Sequence, residues 1–272
     1  MRLTIRHETI FLYDPPAKAI VQTLRMTPRS HDGQHIFNWR VDIDSDCRLD
    51  AGEDAFRNIV HTFSVGPVER LSVLVEGEVE AFDTAGVLRG TLERFPAELF
   101  LRDTDLTIAD EAIREFARKT IVGSKTDLDR LHQLMDAVHD GVKLSSEPRR
   151  ADASAADAFA LGSGHAQDMA HIFIASARHL NIPARFTTGY LHLPAADAVQ
   201  SSHSWAEAYV QDLGWVAFDP SLGQCPHDGH VRVAVGLDEL GAMPLRTASR
   251  SGASQSTSVN VNIRQSQAQW QS

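Results

Sequence analysis

Hydrophobic and polar positions alternate with a period of two through most of the first eighty residues. Residues 3–7 and 10–13 have this extended character, and Asp14-Pro15-Pro16 is expected to stop the run, because proline donates nothing to a β-ladder. Residues 21–26, 36–43, 59–65 and 71–79 repeat the pattern with Gly, Asp and Pro between them. Five or more short strands at this spacing predict a small β-sandwich or barrel over residues 1–82. Residues 83–105 hold no sustained period and read as a connecting segment.

The period then changes to that of a helix. Ile108, Ile113, Phe116 and Ala117 come close to one face, predicting a helix over 108–120. Leu128, Leu131, Leu134, Met135 and Val138 predict another over 127–142. A polar loop at 145–150 precedes a short helical turn at 155–161, and Gly162-Ser163-Gly164 breaks the chain before a buried helix over 165–180. Asn181-Ile182-Pro183 ends that helix. Residues 184–193, 203–211 and 215–218 are β-rich, with Gly214 marking a hairpin turn, and 231–235 and 259–263 add two further strands. The expected organisation is α+β: a β-rich domain at 1–82, a connector at 83–105, a core of helices packed on an antiparallel sheet at 106–265, and a polar tail at 266–272.

Composition narrows the function. Hydrophobic residues make up 43% and charged residues 23%, ordinary values for a globular protein. No apolar run approaches the roughly 20 residues that cross a bilayer. The N-terminus alternates and carries charge, unlike the continuous apolar stretch of a secretory signal, so a cytoplasmic protein without a membrane partner is expected. A net charge of −10 argues against nucleic acid as a partner, since phosphate binding rests on clustered Lys and Arg. Cys47 and Cys225 are the only cysteines, and they form neither a disulfide framework nor a C-x-x-C pair. Oligomeric state is not written in these patterns.

Three segments carry candidate chemistry. Gly164-His165-Ala166-Gln167-Asp168 opens a helix, where unpartnered N–H groups and the dipole would lower a thiol's pKa and stabilise an oxyanion. His203 opens a strand and could act as acid and base near neutrality. Asp219, before Pro220 at the end of the next strand, could orient that imidazole. Adjacent antiparallel strands can bring His203 and Asp219 side by side, in the order nucleophile, base, orienter.

These blocks resemble the bacterial transglutaminase-like proteins, a branch of the papain-like cysteine enzymes with a β-rich N-terminal region. The resemblance rests on Gly164 to Asp168, Ala170-His171, Ile182-Pro183-Ala184-Arg185-Phe186 and Gly189-Tyr190. It continues through His203-Ser204-Trp205-Ala206-Glu207-Ala208-Tyr209, Gly214-Trp215-Val216-Ala217-Phe218-Asp219-Pro220 and the segment His230 to Gly236. It implies a cysteine protease or amidase acting on a peptide or protein substrate through a Cys-His-Asp triad, with no cofactor. His203 would be the base and acid and Asp219 its orienter. Trp205, Gln167 and His165 would contact substrate, while Asp168, His171 and Glu207 would support the site.

The nucleophile position is the departure: it aligns with Ala166. Two origins fit, a Cys-to-Ala form of an active enzyme and a natural pseudoenzyme that binds peptides without cutting them. The retained His203, Asp219 and Trp205 favour the first, because a long-dead site is free to lose them. A protein-crosslinking transglutaminase is the alternative reaction. Ser163 and Cys225 lie wrongly for a substitute nucleophile. His165, His171, His192, His203, His227 and His230 could supply imidazoles to a metal. No H-E-x-x-H pattern or paired cysteine supports one, and His165 and His171 point about 120° apart on their helix. No metal is expected.

Overall fold

The computed structural model describes residues 1–150, 152–194, 201–249 and 254–266. Six strands come first: β1 (Arg2–Ala17), β2 (Ile20–Thr27), β3 (Gln34–Ile43), β4 (Asp50–Glu53), β5 (Ile59–Val65) and β6 (Val68–Ala81). A 3₁₀ turn at Ala97–Leu101 precedes α1 (Glu111–Thr120), α2 (Asp127–Gly141), β7 (Lys143–Leu144), α3 (Ala155–Leu161), β8 (Ser163–Gly164) and α4 (Ala166–His179). Strands β9 (Ala184–Leu191), β10 (Ser202–Val210), β11 (Gly214–Phe218) and β12 (His230–Gly236) follow. The chain then runs through α5 (Glu239–Ala242), β13 (Leu245–Ser249) and β14 (Ser254–Gln265).

The N-terminal region is a sandwich of two four-stranded sheets, ordered β14-β1-β6-β3 and β13-β2-β5-β4. Along β1 the odd-numbered residues from Leu3 to Tyr13 are all buried, as the alternation predicts. Phe11 and Tyr13 pack with Leu71, Val73 and Val75 against Ile20, Leu24, Phe63 and Val65 of the second sheet. Leu3 and Ile5, on the same face, pack instead on Tyr190, Val231 and Val233 of the core. One strand face thus ties the sandwich to the core.

The second unit is the α+β core. Its antiparallel sheet has the order β11-β10-β9-β12, and α4 lies across it, with α1, α2 and α3 packed on the helix from outside. Every residue from Asp168 to Arg178 is buried, which is why α4 is apolar nearly all round rather than along one stripe. The Arg178 guanidinium satisfies itself on the carbonyls of Phe100, Ala184 and Leu237 and on Thr107 Oγ1.

Both edges of the core sheet are covered. Residues of the connector run along β11, where Leu88 N–H donates to the Trp215 carbonyl and Ala217 N–H to that of Gly86. At β12 two side-chain amides stand in for a neighbouring strand. Gln34 pairs with both backbone groups of Arg232 at 2.8 and 2.9 Å, and Asn58 with both of Val235 at 2.7 and 2.8 Å. The sandwich therefore closes an edge that would otherwise present a bare ladder.

Several sequence expectations are corrected. Strand β1 passes through Asp14-Pro15-Pro16, because the register with β6 shifts between Leu12 and Ala17 and no ladder N–H is needed there. Helix α1 starts at Glu111, where the Asp110 side chain accepts the Ile113 N–H, and Ile108 lies outside it, exposed. The core does not extend to residue 265: β14 pairs with β1 and β13 with β2, so the last two strands belong to the sandwich sheets. No helix among the described residues is long and apolar enough to cross a membrane.

Candidate active site

Helix α4 begins at Ala166. Ahead of it, α3 ends on Gly162 at φ 67°, the left-handed conformation a glycine adopts without strain. Ser163 and Gly164 then pair in parallel with Lys143 and Leu144, fixing the approach to the helix. At the helix entry, Asp168 Oδ2 accepts the His165 N–H at 2.8 Å, and Arg149 Nε donates to Asp168 Oδ1 at 2.8 Å. The first turn is thus anchored from both sides, with Ala166 half-buried at its first position.

His203 and Asp219 meet across β10 and β11. Ala206 is opposite Phe218 in that antiparallel pair, so the two side chains lie on one face as diagonal neighbours. His203 Nε2 donates to Asp219 Oδ2 at 2.5 Å. The other carboxylate oxygen accepts the N–H and hydroxyl of Ser221 at 3.1 and 2.6 Å. A second imidazole reaches the same carboxylate: His230 Nε2 lies 3.2 Å from Asp219 Oδ2. Burial alone would raise the Asp219 pKa, but the hydrogen bonds and charges of the two histidines outweigh it and hold the carboxyl below its ordinary range. Asp219 is fully buried and ionised. With the proton of a neutral His203 on Nε2, its Nδ1 carries a lone pair and has no partner among the described residues.

Helix and strand registers bring Ala166 to this end of the sheet. Ala177 and Arg178 lie beside Ala184, which is opposite Ala208, whereas Phe173 stacks on Phe218 at the level of Ala206. Ala166 is seven residues before Phe173, about 10 Å of helix, and His203 is three residues before Ala206, about 10 Å of strand. Helix α4 and β10 run parallel, so both steps lead the same way.

A profile of the transglutaminase-like superfamily matches residues 114–220, and one of the bacterial transglutaminase-like N-terminal region matches residues 3–80. The chain carries a transglutaminase-like core behind a bacterial transglutaminase-like N-terminal region. A Mycobacterium leprae protein, uncharacterized protein ML0607, is 27% identical over 273 residues, covering 90% of this chain and 92% of its own length. Among solved structures, a candidate cysteine protease from Cytophaga hutchinsonii superposes with a TM-score of 0.78 at 18% identity, over 98% of this chain and 92% of that one. That likeness is one of fold.

The remaining predicted residues of this transglutaminase-like chain divide sharply. His165 and Gln167 flank Ala166 and are half-buried at the helix entry. Trp205, expected at the substrate, is instead 2% exposed. It stands edge-on to His230 with centroids 5.4 Å apart, and a Cβ on Gly189 would come within 2.9 Å of its ring. The indole shares the strand face of His203 but lies two residues further into the sheet, where Gly189 and His230 close over it as a wall beside the imidazoles. His171 is fully buried in α4, and its Nε2 accepts the Glu239 N–H at 3.1 Å. Glu207 is fully buried between Arg185 and Arg232, each donating through Nε at 2.6 Å. Sequence reading gave His230 no role at the carboxylate and passed over Ser221. Both had signals: His230 opens a strand as His203 does, and Asp-Pro-Ser places a hydroxyl and an N–H two residues after a carboxylate.

His203, Asp219 and His230 also form the one cluster among the described residues with the composition of a metal site. Its hydrogen bonding is that of a proton network. His230 Nδ1 accepts the His227 N–H at 3.2 Å, so its proton resides on Nε2, where a ligand would need a lone pair. Neither cysteine replaces a nucleophile at the helix entry. Burial, followed by the negative charges of Asp136 and Asp83, pushes the Cys225 thiol up to about 11, away from the reactive thiolate.

Proposed function

We propose that the start of α4 together with His203 and Asp219 forms a thiol acyl-transfer site for peptide or isopeptide bonds, and that this chain, with Ala166 at the nucleophile position, binds such a substrate without turning it over. The carrying observation is the imidazole of His203, tied through Nε2 to a buried carboxylate and left with Nδ1 free at the end of the sheet where α4 begins.

With cysteine at position 166, Nδ1 would take the thiol proton and the thiolate would attack the substrate carbonyl. The tetrahedral oxyanion would be met by the N–H of residue 166 at the helix start. Collapse would expel the amine, protonated by the imidazolium, and leave a thioester. Water, deprotonated by His203, would then release the acid and regenerate the thiol; an amine acceptor would give a new amide instead. Hydrolysis is the reading put forward here, as for a protease or amidase.

The second reading, a peptide-binding module without chemistry, is favoured by Ala166 itself. One experiment separates them. The Ala166→Cys variant is treated with iodoacetamide at pH 7 and the label mapped by mass spectrometry. Labelling at position 166 at least roughly tenfold faster than a free exposed thiol, and lost on His203→Ala, is the expected result. Labelling at the free-thiol rate would leave only the binding module.

A further inference from the structure

Asp219 accepts four hydrogen bonds, and His203 supplies one of them. Ser221 holds Oδ1 twice, whereas Oδ2 is shared between His203 and His230. The second imidazole is itself held without freedom. Its side chain is 2% exposed, Trp205 stands edge-on to it, and the His227 ring meets it at 4.8 Å and 90°. The His227 N–H on Nδ1 leaves its proton on Nε2, aimed at Asp219. Its strand, β12, is clamped by Gln34 and Asn58 from the sandwich. Rotamer, tautomer and backbone of His230 are each fixed by a separate contact.

We propose that His230 is a positioning residue for the His203–Asp219 pair: a neutral second imidazole that fixes the Asp219 carboxylate and, by sharing its charge, tempers its pull on His203. The proposal rests on reading that pair as the acid–base element of the site. A carboxylate oxygen that already accepts one N–H stabilises a neighbouring imidazolium less than a bare one does. The device works only if His230 stays uncharged, since a second cation would oppose protonation of His203. Burial supports this by disfavouring the charged form, against the opposing influence of Asp219. The charged and titratable groups facing His230 are His203 and Asp219 from β10 and the end of β11, and His227 with Asp228 from the preceding turn. His31 and Arg232 complete them, around a cavity of about 40 Å³.

The test is made on the full chain as it stands, by long-range ¹H–¹⁵N NMR of the histidine rings across a pH titration. At neutral pH both His203 and His230 are expected as Nε2–H tautomers. In His230→Leu the midpoint of His203 should rise by about half a unit or more, a threefold change in proton affinity. In His230→Gln, whose amide can still donate to Asp219, it should return close to the parent value. An unmoved His203 midpoint in folded His230→Leu overturns the proposal, since a purely structural role would lower thermal stability and leave that midpoint alone. Should His230→Leu fail to fold, the unmodified chain still decides: an Nδ1–H tautomer at His230 overturns it. Slow labelling of Ala166→Cys would count against the thiol reading and leave these shifts untouched.

Discussion

Phe173 of α4 stacks on Phe218 of β11, with ring centroids 5.2 Å apart and planes within 28° of parallel. Phe218 immediately precedes Asp219, so this contact sets the height of the helix against the strand that delivers the carboxylate. Both rings are fully buried in the main core cluster. Phe173→Ala should cost about 3–5 kcal/mol, the range for emptying a buried aromatic site, and Phe173→Leu about 1 kcal/mol. Urea unfolding of the two variants checks this. Equal, small losses would mean that the helix is not held at this point.

Glu207 carries a heavier electrostatic load than its place in the His203 strand suggests. Burial would raise its pKa, but the charges of Arg232 and Arg185 prevail and bring it down to about 2. Arg185 is 1% exposed, pairs also with Glu93 of the connector, and lies 3.8 Å over the Trp215 ring. Removing the shared anion leaves the buried Arg185 with Glu93 alone and the half-buried Arg232 without its carboxylate. Glu207→Ala should therefore cost about 3–5 kcal/mol, whereas Glu93→Ala, whose carboxylate is partly solvated, should cost about 1 kcal/mol. Thermal melts of both, with a double variant for the coupling, measure the difference. A Glu207→Ala protein as stable as its parent would show that the arginines find other partners.

Cys225 should be a poor nucleophile in the folded chain. With its thiol pushed up to about 11, only about one molecule in ten thousand is thiolate at pH 7. Reaction with a disulfide reagent such as DTNB is expected to be at least about a hundredfold slower at Cys225 than at a small free thiol, and to accelerate with pH beyond 9. Denaturant should restore the ordinary rate. Prompt labelling of Cys225 at pH 7 in the native chain would contradict the burial.

The sequence made one half of the site legible and left the other half dark, for a physical reason. Strand alternation and the single hairpin between β10 and β11 are local, so a side-by-side His203 and Asp219 could be foreseen from spacing. The partners of β12 are not local. Gln34 and Asn58 reach it across about 180 to 200 residues, and nothing in their neighbourhoods announces that two amides will cap a strand edge. His230 was overlooked for the same reason. The two C-terminal strands were assigned to the core because sequence order favoured it, yet twelve register pairs tie β14 to β1. Trp205 was misjudged because an aromatic next to an acid–base histidine looks like a substrate wall. It shares the His203 face of β10, and its burial comes from contacts distant in sequence, with Gly189 and His230 closing over the ring.

Acid should unfold this protein earlier than its carboxylates alone would dictate. Burial first, then repulsion from Arg149 and Arg178, brings the His171 pKa down to about 3, and burial lowers His7 to about 4. Each is neutral in the folded chain at a pH where the unfolded chain, at about 6.5, already takes up a proton. Because both folded values are depressed, their contribution is complete above pH 6.5 and is lost as pH falls toward 4 and then 3. Glu207 has the same sign, with its loss setting in below about pH 4.5. Between pH 6.5 and 5 each histidine should remove about 2 kcal/mol of stability. His171→Gln can keep an acceptor for the Glu239 N–H without titrating, so its urea midpoint should fall less steeply over that interval than the parent's. Parallel slopes for the two proteins would mean that His171 is protonated in the fold, and the buried, neutral imidazole described above would be wrong.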